Sequence, residues 1–422
     1  MKIAFISYEY PPDTADGGIA TYVQQAARML NNRGHHVEVF AGSRCRSGSE
    51  LEDGILVHRI NEPEQRNFAQ LIGPIFAQQH GVVKFDVLEG PDYGADARVA
   101  VDLVLDIPLV LKLHTASILL LKLNYCESDA SFLKKSYLYF SSLIRGIKPA
   151  WGYAPSGAAY RLQVLKVDEI ERSHALKADE IATPSRSLGK LMVEEWGLDS
   201  AKIGHVPYPY IPSKKLLEIP IDTQTNIVTF IGRLEIRKGV LDLAQAIPQI
   251  LHRYPNVKFR FVGAAEPSPN PRLDMRQYLE RQLKPYIKSI EFTGAVAMDD
   301  IPDILANTDI CVFPSLWENF PCVCLEAMAA GRGIIATNAG GMADMLDEGE
   351  NEVGKLIPPR SSAKIAEAAI ALLADPKLRM KLGQAARERL VTQYSAERIS
   401  ELQEASYSRA IQRRQLEGKR LY

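Results

Sequence analysis

Hydrophobic residues recur along the chain in two alternating patterns. Short runs of β-branched and aromatic residues, typical of buried strands, alternate with segments whose apolar positions lie three or four residues apart, typical of amphipathic helices. The run Lys2–Ser7 is followed by a Pro-, Gly- and Asp-rich loop, a helical pattern from Ile19 to Leu30 that ends at Gly34, and a strand pattern from His36 to Phe40. This order predicts a β-α-β unit of a parallel sheet, in which ligands bind beyond the carboxyl ends of the strands.

The same alternation continues and restarts after a proline-rich segment. Repeated prolines in residues 207–220 disfavour both helix and central strand, so this segment is predicted to link two α/β domains, residues 1–206 and 221–395, with a cleft between them. From Ser362 onward the pattern is almost continuously helical, with one helix at 363–374 and another from Leu378 to about Arg414. The remaining predicted elements are strands at 87–89, 109–114, 180–183, 227–231, 258–262, 290–292 and 310–313, and helices at 167–176, 240–251, 273–283 and 301–307.

Length, composition and charge indicate an ordinary globular protein. The 422 residues suffice for two or three domains of about 150 residues each. The 50 Lys and Arg residues balance the 51 Asp and Glu residues, so no net field favours nucleic acid or an anionic membrane as a partner. No apolar run is long enough for a transmembrane segment, and the N-terminal run lacks a small-residue cleavage site.

Cysteine usage points to a reducing compartment. Five scattered cysteines favour reduced thiols, and therefore a cytoplasmic protein, over a disulfide framework. Cys322 and Cys324 have no second Cys or His pair nearby and lie in an apolar run, so we expect them to pack in the core. No second histidine lies at metal-ligand spacing from His114, and no metal site is predicted.

The segment from Trp317 to Gly331 carries two carboxylates around a predicted helix start. Pro321 suits the first helical position, which places Glu318 in the preceding loop and Glu326 on the second turn, facing one pocket. The free amides of residues 319 to 323 would offer an anion site at the positive end of the helix. Carboxylates for hydroxyls beside amides for phosphate indicate a nucleotide-sugar site, although two Glu at this spacing are in general more often surface charges.

Two further motifs carry candidate chemistry. In Gly232-Arg233-Leu234-Glu235-Ile236-Arg237-Lys238-Gly239, which follows a predicted strand, Arg233 and Lys238 can both reach a ligand, and two fixed cations suit a diphosphate. The alternative is a solvated loop in which Arg237 is one more surface charge. Gly17 and Gly18 precede the first helix, where they would let backbone amides approach a ligand or form a plain turn. The chain lacks a P-loop and a Gly-x-Gly-x-x-Gly motif, which argues against conventional P-loop and dinucleotide enzymes.

Together the motifs resemble the signature of the retaining GT-B glycosyltransferases of family 4, or glycosyltransferase group 1, a superfamily that includes the sucrose-phosphate synthases. The resemblance rests on Glu-x7-Glu followed by Ala-Met-Ala-Ala-Gly, on the Arg233 and Lys238 motif, and on Tyr10-Pro11-Pro12 with Gly17-Gly18, in the family's order over nearly the whole chain. It implies an α/β GT-B fold. Two Rossmann-like domains would face a central cleft, and a C-terminal helix, residues 396–422, would return to the N-terminal domain.

The resemblance also implies roles for individual residues. Arg233 and Lys238 match the family's diphosphate-binding pair, and His114 matches the histidine that contacts the donated sugar. By itself, a histidine after an apolar strand is usually a packed residue. Glu326 would bind the ribose hydroxyls and Glu318 the transferred sugar. Asp344 stands where the family has Glu in Gly-Gly-x-x-Glu, one methylene shorter. The other implied donor-binding residues are Gly17, Gly18, Val296, Asn319, Phe320, Pro321 and Cys322.

The implied reaction is transfer of a hexose, by family habit glucose from UDP-glucose, with retention of configuration and no cofactor, since Arg233 and Lys238 neutralise the phosphates without a metal. The expected acceptor is a small sugar or sugar phosphate, with Arg186 as a candidate phosphate contact. The basic, aromatic segment 118–149 suggests the alternative of a lipid-linked or cell-envelope acceptor at a membrane surface, unless it is an ordinary helix pair. A nucleotide-sugar epimerase of the same fold and an inactive sugar-binding module also remain open.

Overall fold

The computed structural model describes residues 1–14, 17–125, 158–347 and 352–421, and the chain forms two compact units. The first contains Met1–Leu121, Leu162–Ile211 and Tyr394–Tyr422, and the second contains Pro212–Gln393 together with the described residues 122–125 and 158–161. The change from one unit to the other falls inside the proline-rich segment 207–220. Most of the segment 118–149, with its predicted helix pair, lies outside the described residues.

The first unit is built on one eight-stranded sheet. Its strands are β1 Lys2–Ser7, β2 His36–Ser43, β3 Gly48–Glu52, β4 Ile55–Asn61, β5 Val87–Pro91, β6 Leu109–Lys112, β7 Glu180–Thr183 and β8 Ile203–His205. They lie in the order β3-β4-β2-β1-β5-β6-β7-β8, parallel except for the edge hairpin β3–β4. The predicted opening unit is present, because β1 pairs with β2 in parallel, with Lys2 opposite His36.

The second unit contains a six-stranded parallel sheet. Its strands are β9 Ile227–Ile231, β10 Lys258–Val262, β11 Ile290–Gly294, β12 Ile310–Phe313, β13 Gly333–Thr337 and β14 Lys355–Ile357, in the order β11-β10-β9-β12-β13-β14. Four of these strands fall where the apolar runs predict them, whereas β13 and β14 were not predicted. All five residues of β13 are buried. A short run that is apolar on both faces has no periodicity to distinguish it from the end of the preceding helix.

Helices form at most of the positions where the apolar spacing predicts them, and several further helices lie where none was predicted. The helices are α1 Gly18–Asn32, α2 Phe68–Val83, α3 Arg98–Leu103, α4 Ser117–Tyr125, α5 Ala158–Leu176, α6 Arg186–Trp196, α7 Lys214–Leu217, α8 Val240–Arg253, α9 Met275–Gln282, α10 Ile301–Ala306, α11 Cys322–Ala329, α12 Gly341–Leu346, α13 Ser362–Ala374, α14 Pro376–Gln393 and α15 Ala396–Glu417. No helix in this described part of the chain is long and apolar enough to cross a membrane.

The continuous helix predicted from Leu378 to Arg414 is wrong. The chain forms two helices there, α14 and α15, because Ser395 adopts an extended conformation and its hydroxyl accepts a hydrogen bond from the amide of Arg398, which starts a new helix. The second of them, α15, belongs to the first unit and packs against β5, β6, β7 and α1.

Buried carboxylates fix α15 to the first sheet. Glu180, at the start of β7, accepts hydrogen bonds from Arg409 and Arg413, and the preceding Asp179 accepts them from Arg414 and Arg420. Both carboxylates are fully buried, so each depends on these guanidinium groups for charge compensation.

Candidate active site

The motif that follows β9 forms a tight loop with a short 3₁₀ turn, Ile236–Lys238. Gly239 ends this turn in the left-handed conformation, and a Cβ atom there would lie 1.9 Å from the carbonyl oxygen of Pro314. The amide of Leu316 donates a 2.8 Å hydrogen bond to the carbonyl of Arg237. The loop after β9 is therefore held against the loop after β12, which carries Glu318.

Five charged side chains of these two loops form an alternating series. Lys238 donates a short hydrogen bond to Oε1 of Glu318, and Nη1 of Arg237 lies 3.7 Å from the same oxygen. Nη2 of Arg237 donates a 2.9 Å hydrogen bond to Glu235, and Nη2 of Arg233 lies 3.4 Å from the same oxygen of Glu235. The order is Lys238, Glu318, Arg237, Glu235, Arg233, so the predicted diphosphate ligands are the two ends of the series.

Glu318 is a buried carboxylate with two cations beside it. Burial acts to raise the pKa of Glu318, but Lys238, Arg237 and a hydrogen bond from Ser315 outweigh it, and the pKa lies below its usual value. The main chain of Glu318 is held by Gly340 and Gly341, which precede and begin α12. Glu318 was predicted to address the transferred sugar, and in this structure its carboxylate is occupied by Lys238 and Arg237.

Glu326 lies on the second turn of α11, as predicted, and is buried. Pro321 is the N-cap, with ψ of 121°, rather than the first helical residue, so the helix begins one position later than predicted. Within the described residues, no group lies at hydrogen-bond or ion-pair distance from the Glu326 carboxylate. Burial therefore raises the pKa of Glu326 to about 7.

The other predicted donor-binding residues of the second unit lie on the loops around these groups. Asn319 and Phe320 are buried between Glu318 and α11, and Cys322, the first residue of α11, is half-buried. Burial raises the pKa of the Cys322 thiol to about 12, with the Glu326 carboxylate as a second cause. Val296 is half-buried in the loop that follows β11. Cys324 is fully buried in the core, as predicted.

In the first unit, His114 lies just beyond β6 in a polar pocket of the core. Its Nδ1 is 2.7 Å from the hydroxyl of Tyr208, which donates to the carbonyl of Leu113. The direction of the contact between Tyr208 and Nδ1 is set by the tautomer of His114, because the hydroxyl carries one proton. Burial, together with Lys112, holds the pKa of His114 well below its usual value, so the imidazole is neutral.

A buried carboxyl lies behind this histidine. The amide of His114 donates a 2.8 Å hydrogen bond to Oδ1 of Asp92, which is fully buried at the end of β5. Burial, with nearby Glu171 as the second cause, raises the pKa of Asp92 to about 7. Asp92 thus fixes the main chain at His114 from the neighbouring strand.

Gly17 and Gly18 lie at the start of α1 and are exposed. Oε2 of Glu9 is 3.4 Å from the amide of Ala20 in the first turn and would be 3.2 Å from a Cβ atom at Gly17. A carboxylate therefore occupies the position at this helix start where an anionic ligand group was expected. A side chain at Gly17 would press on that carboxylate.

Arg186 is the exposed first residue of α6 and lines a separate concavity of about 350 Å³. Lys190 and Val193 from the same helix face and Ile203 and His205 from β8 line it as well. Asp344 is half-buried in the first turn of α12.

Sequence reasoning missed three residues of these sites. Arg237, considered only as a surface charge, has a side chain that is 14% exposed and contacts two glutamates. The sequence motifs assign no role to Glu235 or Tyr208. The alternation of basic and acidic residues in Arg233-Leu234-Glu235-Ile236-Arg237 is a signal that indicates a role for Arg237 and Glu235.

No group of three or more His, Cys, Asp or Glu side chains is arranged to hold a metal ion in the part of the chain that the structure describes. The cationic side chains of Arg233, Arg237 and Lys238 supply the positive charge at the second-unit site.

Two parallel-sheet α/β units, with a C-terminal helix on the first, define the GT-B class of glycosyltransferases. The sequence matches the family Glycosyl transferases group 1 over residues 214–389 and the family Glycosyl transferase 4-like domain over residues 17–209. The chain therefore belongs to the group 1 glycosyltransferases and is an enzyme that transfers a sugar from a nucleotide sugar.

Known relatives cover almost the whole chain. It is 23% identical to glycogen synthase of Mycobacterium tuberculosis (strain CDC 1551 / Oshkosh) over 436 aligned residues, which cover 95% of this chain and 92% of the relative. The fold is similar to that of sucrose-phosphate synthase from Thermosynechococcus elongatus, with a TM-score of 0.69, 22% identity, and coverage of 96% of this chain and 98% of that chain. Anabaena Alr3699/HepE in complex with UDP-glucose is similar with a TM-score of 0.64, 18% identity, and coverage of 97% and 100%.

Proposed function

We propose that this enzyme is a retaining, metal-independent hexosyltransferase that moves glucose from UDP-glucose to a small sugar or sugar phosphate in the cytoplasm. The observation that carries the proposal is the Glu326 carboxylate, which is buried with no partner among the described residues. A buried carboxylate is stable in its ionised form only when hydrogen-bond donors reach it. The two vicinal hydroxyls of a ribose supply such donors.

The cations of the loop after β9 support a diphosphate leaving group. Arg233 and Lys238 are the two ends of the alternating charge series, and Arg233 has the most exposed side chain of the five. Fixed cations stabilise the charge that grows on the leaving phosphate as the glycosidic bond breaks. They therefore do the work that a divalent cation performs in other transferases.

Retention follows in this proposal from attack on the face that the phosphate leaves. The acceptor oxygen bonds to the anomeric carbon while the bond from that carbon to the phosphate oxygen breaks, and the acceptor proton passes to the departing phosphate. Glu318, whose carboxylate is held by Lys238 and Arg237, is placed here as a contact to the sugar rather than as a nucleophile.

The proposed donor and the proposed acceptor are supported by similarities to different proteins. The similarity to a protein that was solved in complex with UDP-glucose favours that donor. The similarity to a sucrose-phosphate synthase favours a small sugar or sugar phosphate as acceptor, with Arg186 as the candidate phosphate contact. The glycogen synthase relative makes a growing glucan chain the competing acceptor to test.

The test is an acceptor panel read by mass spectrometry. The protein is incubated with UDP-glucose alone, with small sugars, with sugar phosphates, with glucan oligomers and with a lipid-linked acceptor, and Glu326→Ala serves as the control in each arm. The proposal expects a hexose added to a small sugar or sugar phosphate, with an α-anomeric signal in proton NMR. An epimerised donor in the first arm, or a product only in the glucan or lipid arm, would overturn it.

A further inference from the structure

Arg237 lies at the centre of the alternating charge series. It is not one of the residues predicted to contact the sugar donor. Its guanidinium contacts Glu235 at 2.9 Å through Nη2 and Glu318 at 3.7 Å through Nη1. Its side chain is more buried than that of either terminal cation, with 14% exposed against 18% for Lys238 and 58% for Arg233. Arg237 is thus the cation that both glutamates share.

In the proposed function, the terminal cations Arg233 and Lys238 bind the diphosphate of the sugar donor. A diphosphate that binds to Arg233 and Lys238 competes with Glu235 for the first and with Glu318 for the second. Each glutamate would then keep a single cationic neighbour, and for both of them that neighbour is Arg237. Glu318 is buried and Glu235 is mostly buried, so neither can take water as a full replacement.

We propose that Arg237 is a positioning residue of the donor site: it remains as the shared counter-ion of Glu235 and Glu318 while Arg233 and Lys238 turn to the diphosphate. This inference rests on the proposed function, which assigns the diphosphate to those two cations. Arg237 does not contact the donor in this scheme. It lowers the cost of transferring the terminal cations from carboxylate to phosphate.

The architecture of the loops supports the assignment. The carbonyl of Arg237 accepts a hydrogen bond from Leu316, and Gly239 makes close contact with Pro314, so the main chain at Arg237 is fixed to the loop that carries Glu318. A side chain on such a fixed main chain can stay in place while its neighbours change partners. The terminal Arg233, at the exposed end of the series, is free of such a constraint on its side chain.

The experiment measures UDP and uridine affinity by calorimetry for four proteins: the wild type, Arg237→Gln, Glu235→Gln and the double variant. We expect Arg237→Gln to weaken UDP binding on the order of tenfold to a hundredfold, since both glutamates then hold the terminal cations more tightly. Glu235→Gln releases Arg233 and tightens UDP binding. The double variant regains part of the lost affinity, because Arg233 is released to the diphosphate while Glu318 still retains Lys238.

The outcomes separate this inference from its alternatives. If Arg237 contacts the phosphate directly, Glu235→Gln fails to rescue Arg237→Gln, and the inference is wrong. If Arg237 serves only the fold, uridine affinity falls together with UDP affinity, which also overturns it. If the wild-type protein binds UDP no more tightly than uridine, the proposed function itself is contradicted. If Arg237→Gln binds UDP with unchanged affinity, only this inference is contradicted. Arg237→Lys, which keeps the charge, should retain most of the affinity.

Discussion

Glu326 shows at the scale of one residue how burial changes the chemistry of a carboxylate. Its carboxylate is buried on α11 and has no partner in the described part of the structure. Burial alone raises its pKa to about 7, so near neutral pH both the charged and the neutral form of Glu326 are populated. Two hydroxyl groups that donate to the carboxylate would favour the charged form.

The first prediction is that UDP-glucose binds more tightly as the pH rises from 6 to 8. At pH 6 most Glu326 side chains are protonated, and each must lose its proton before the carboxylate accepts two hydrogen bonds. For a pKa of about 7, this deprotonation weakens UDP-glucose binding at pH 6 about tenfold relative to pH 8. The diphosphate diester of UDP-glucose does not titrate in this range. Calorimetry measures the effect, and Glu326→Gln is the control that should show weak, pH-independent binding.

The second prediction concerns the stability of the folded protein measured without added sugar donor. The pKa of Glu326 is higher in the folded state than its ordinary value of 4.5, so the folded state favours the protonated form and loses stability as the pH rises from 4.5 through 7. Above pH 7 this loss amounts to about 3 kcal/mol. Glu326→Gln should therefore have a higher melting temperature than the wild type at pH 8 and an equal one near pH 4.5. A lower melting temperature at pH 8 would show that the carboxylate has a partner.

The third prediction concerns the terminal cations, Arg233 and Lys238. If each contributes on the order of 3 kcal/mol to the transition state, Arg233→Ala or Lys238→Ala lowers kcat/KM by roughly 10²-fold, with much of the loss in kcat. The double variant should lose less than the product of the two, since both act on one diphosphate. Steady-state kinetics decide the matter. A rise in KM with unchanged kcat would restrict both residues to holding the sugar donor.

At the scale of elements, the site of the second unit depends on contacts between loops rather than on any single helix or strand. The loops after β9, β12 and β13 meet at Gly239, at Glu318 and at Gly340. Gly340 has φ of +75°, and a Cβ atom there would lie 2.0 Å from the carbonyl oxygen of Glu318. The positive φ and the close approach of the Glu318 carbonyl both require a glycine at position 340.

The fourth prediction compares Gly340→Ala with Gly197→Ala. Both glycines have positive φ, but a Cβ atom at Gly197, at the end of α6, meets nothing within 4 Å. Gly197→Ala should cost about 1 kcal/mol of stability through backbone strain alone. Gly340→Ala should destabilise more and also weaken UDP-glucose binding, because it displaces the loop that carries Glu318. Melting temperature and calorimetry on both variants test this, and equal UDP-glucose affinity would contradict it.

At the scale of the whole molecule, the chain alternates between its two units. It leaves the first unit at Ile211, builds the second, and returns at Tyr394 to complete the first with α15. Charge compensation holds α15 on the first unit. The buried carboxylates of Asp179 and Glu180 accept hydrogen bonds from arginines of α15 and of the segment after it. The first unit therefore needs residues from both ends of the sequence.

The fifth prediction is that glycosyl transfer persists in EDTA. Positive charge at the second-unit site comes from Arg233, Arg237 and Lys238, which a chelator cannot remove. The measurement is the initial rate with UDP-glucose and an acceptor from the panel, with and without EDTA. A rate that collapses on chelation and returns with Mg²⁺ or Mn²⁺ would show that these cations are not sufficient.

The sequence by itself determined the alternating elements, the GT-B class and the family, because periodicity and motif order are local properties that a linear chain displays. Strands such as β1, β7, β9, β10 and β12 match their predicted bounds for this reason. Only the tertiary structure decided that Lys238 and Glu318 are partners and that Arg237 is buried between two glutamates. The contacts of Glu318 with Lys238 and Arg237 join residues about 80 positions apart. Burial, which sets the pKa of Glu326 and of His114, arises from packing across the whole fold.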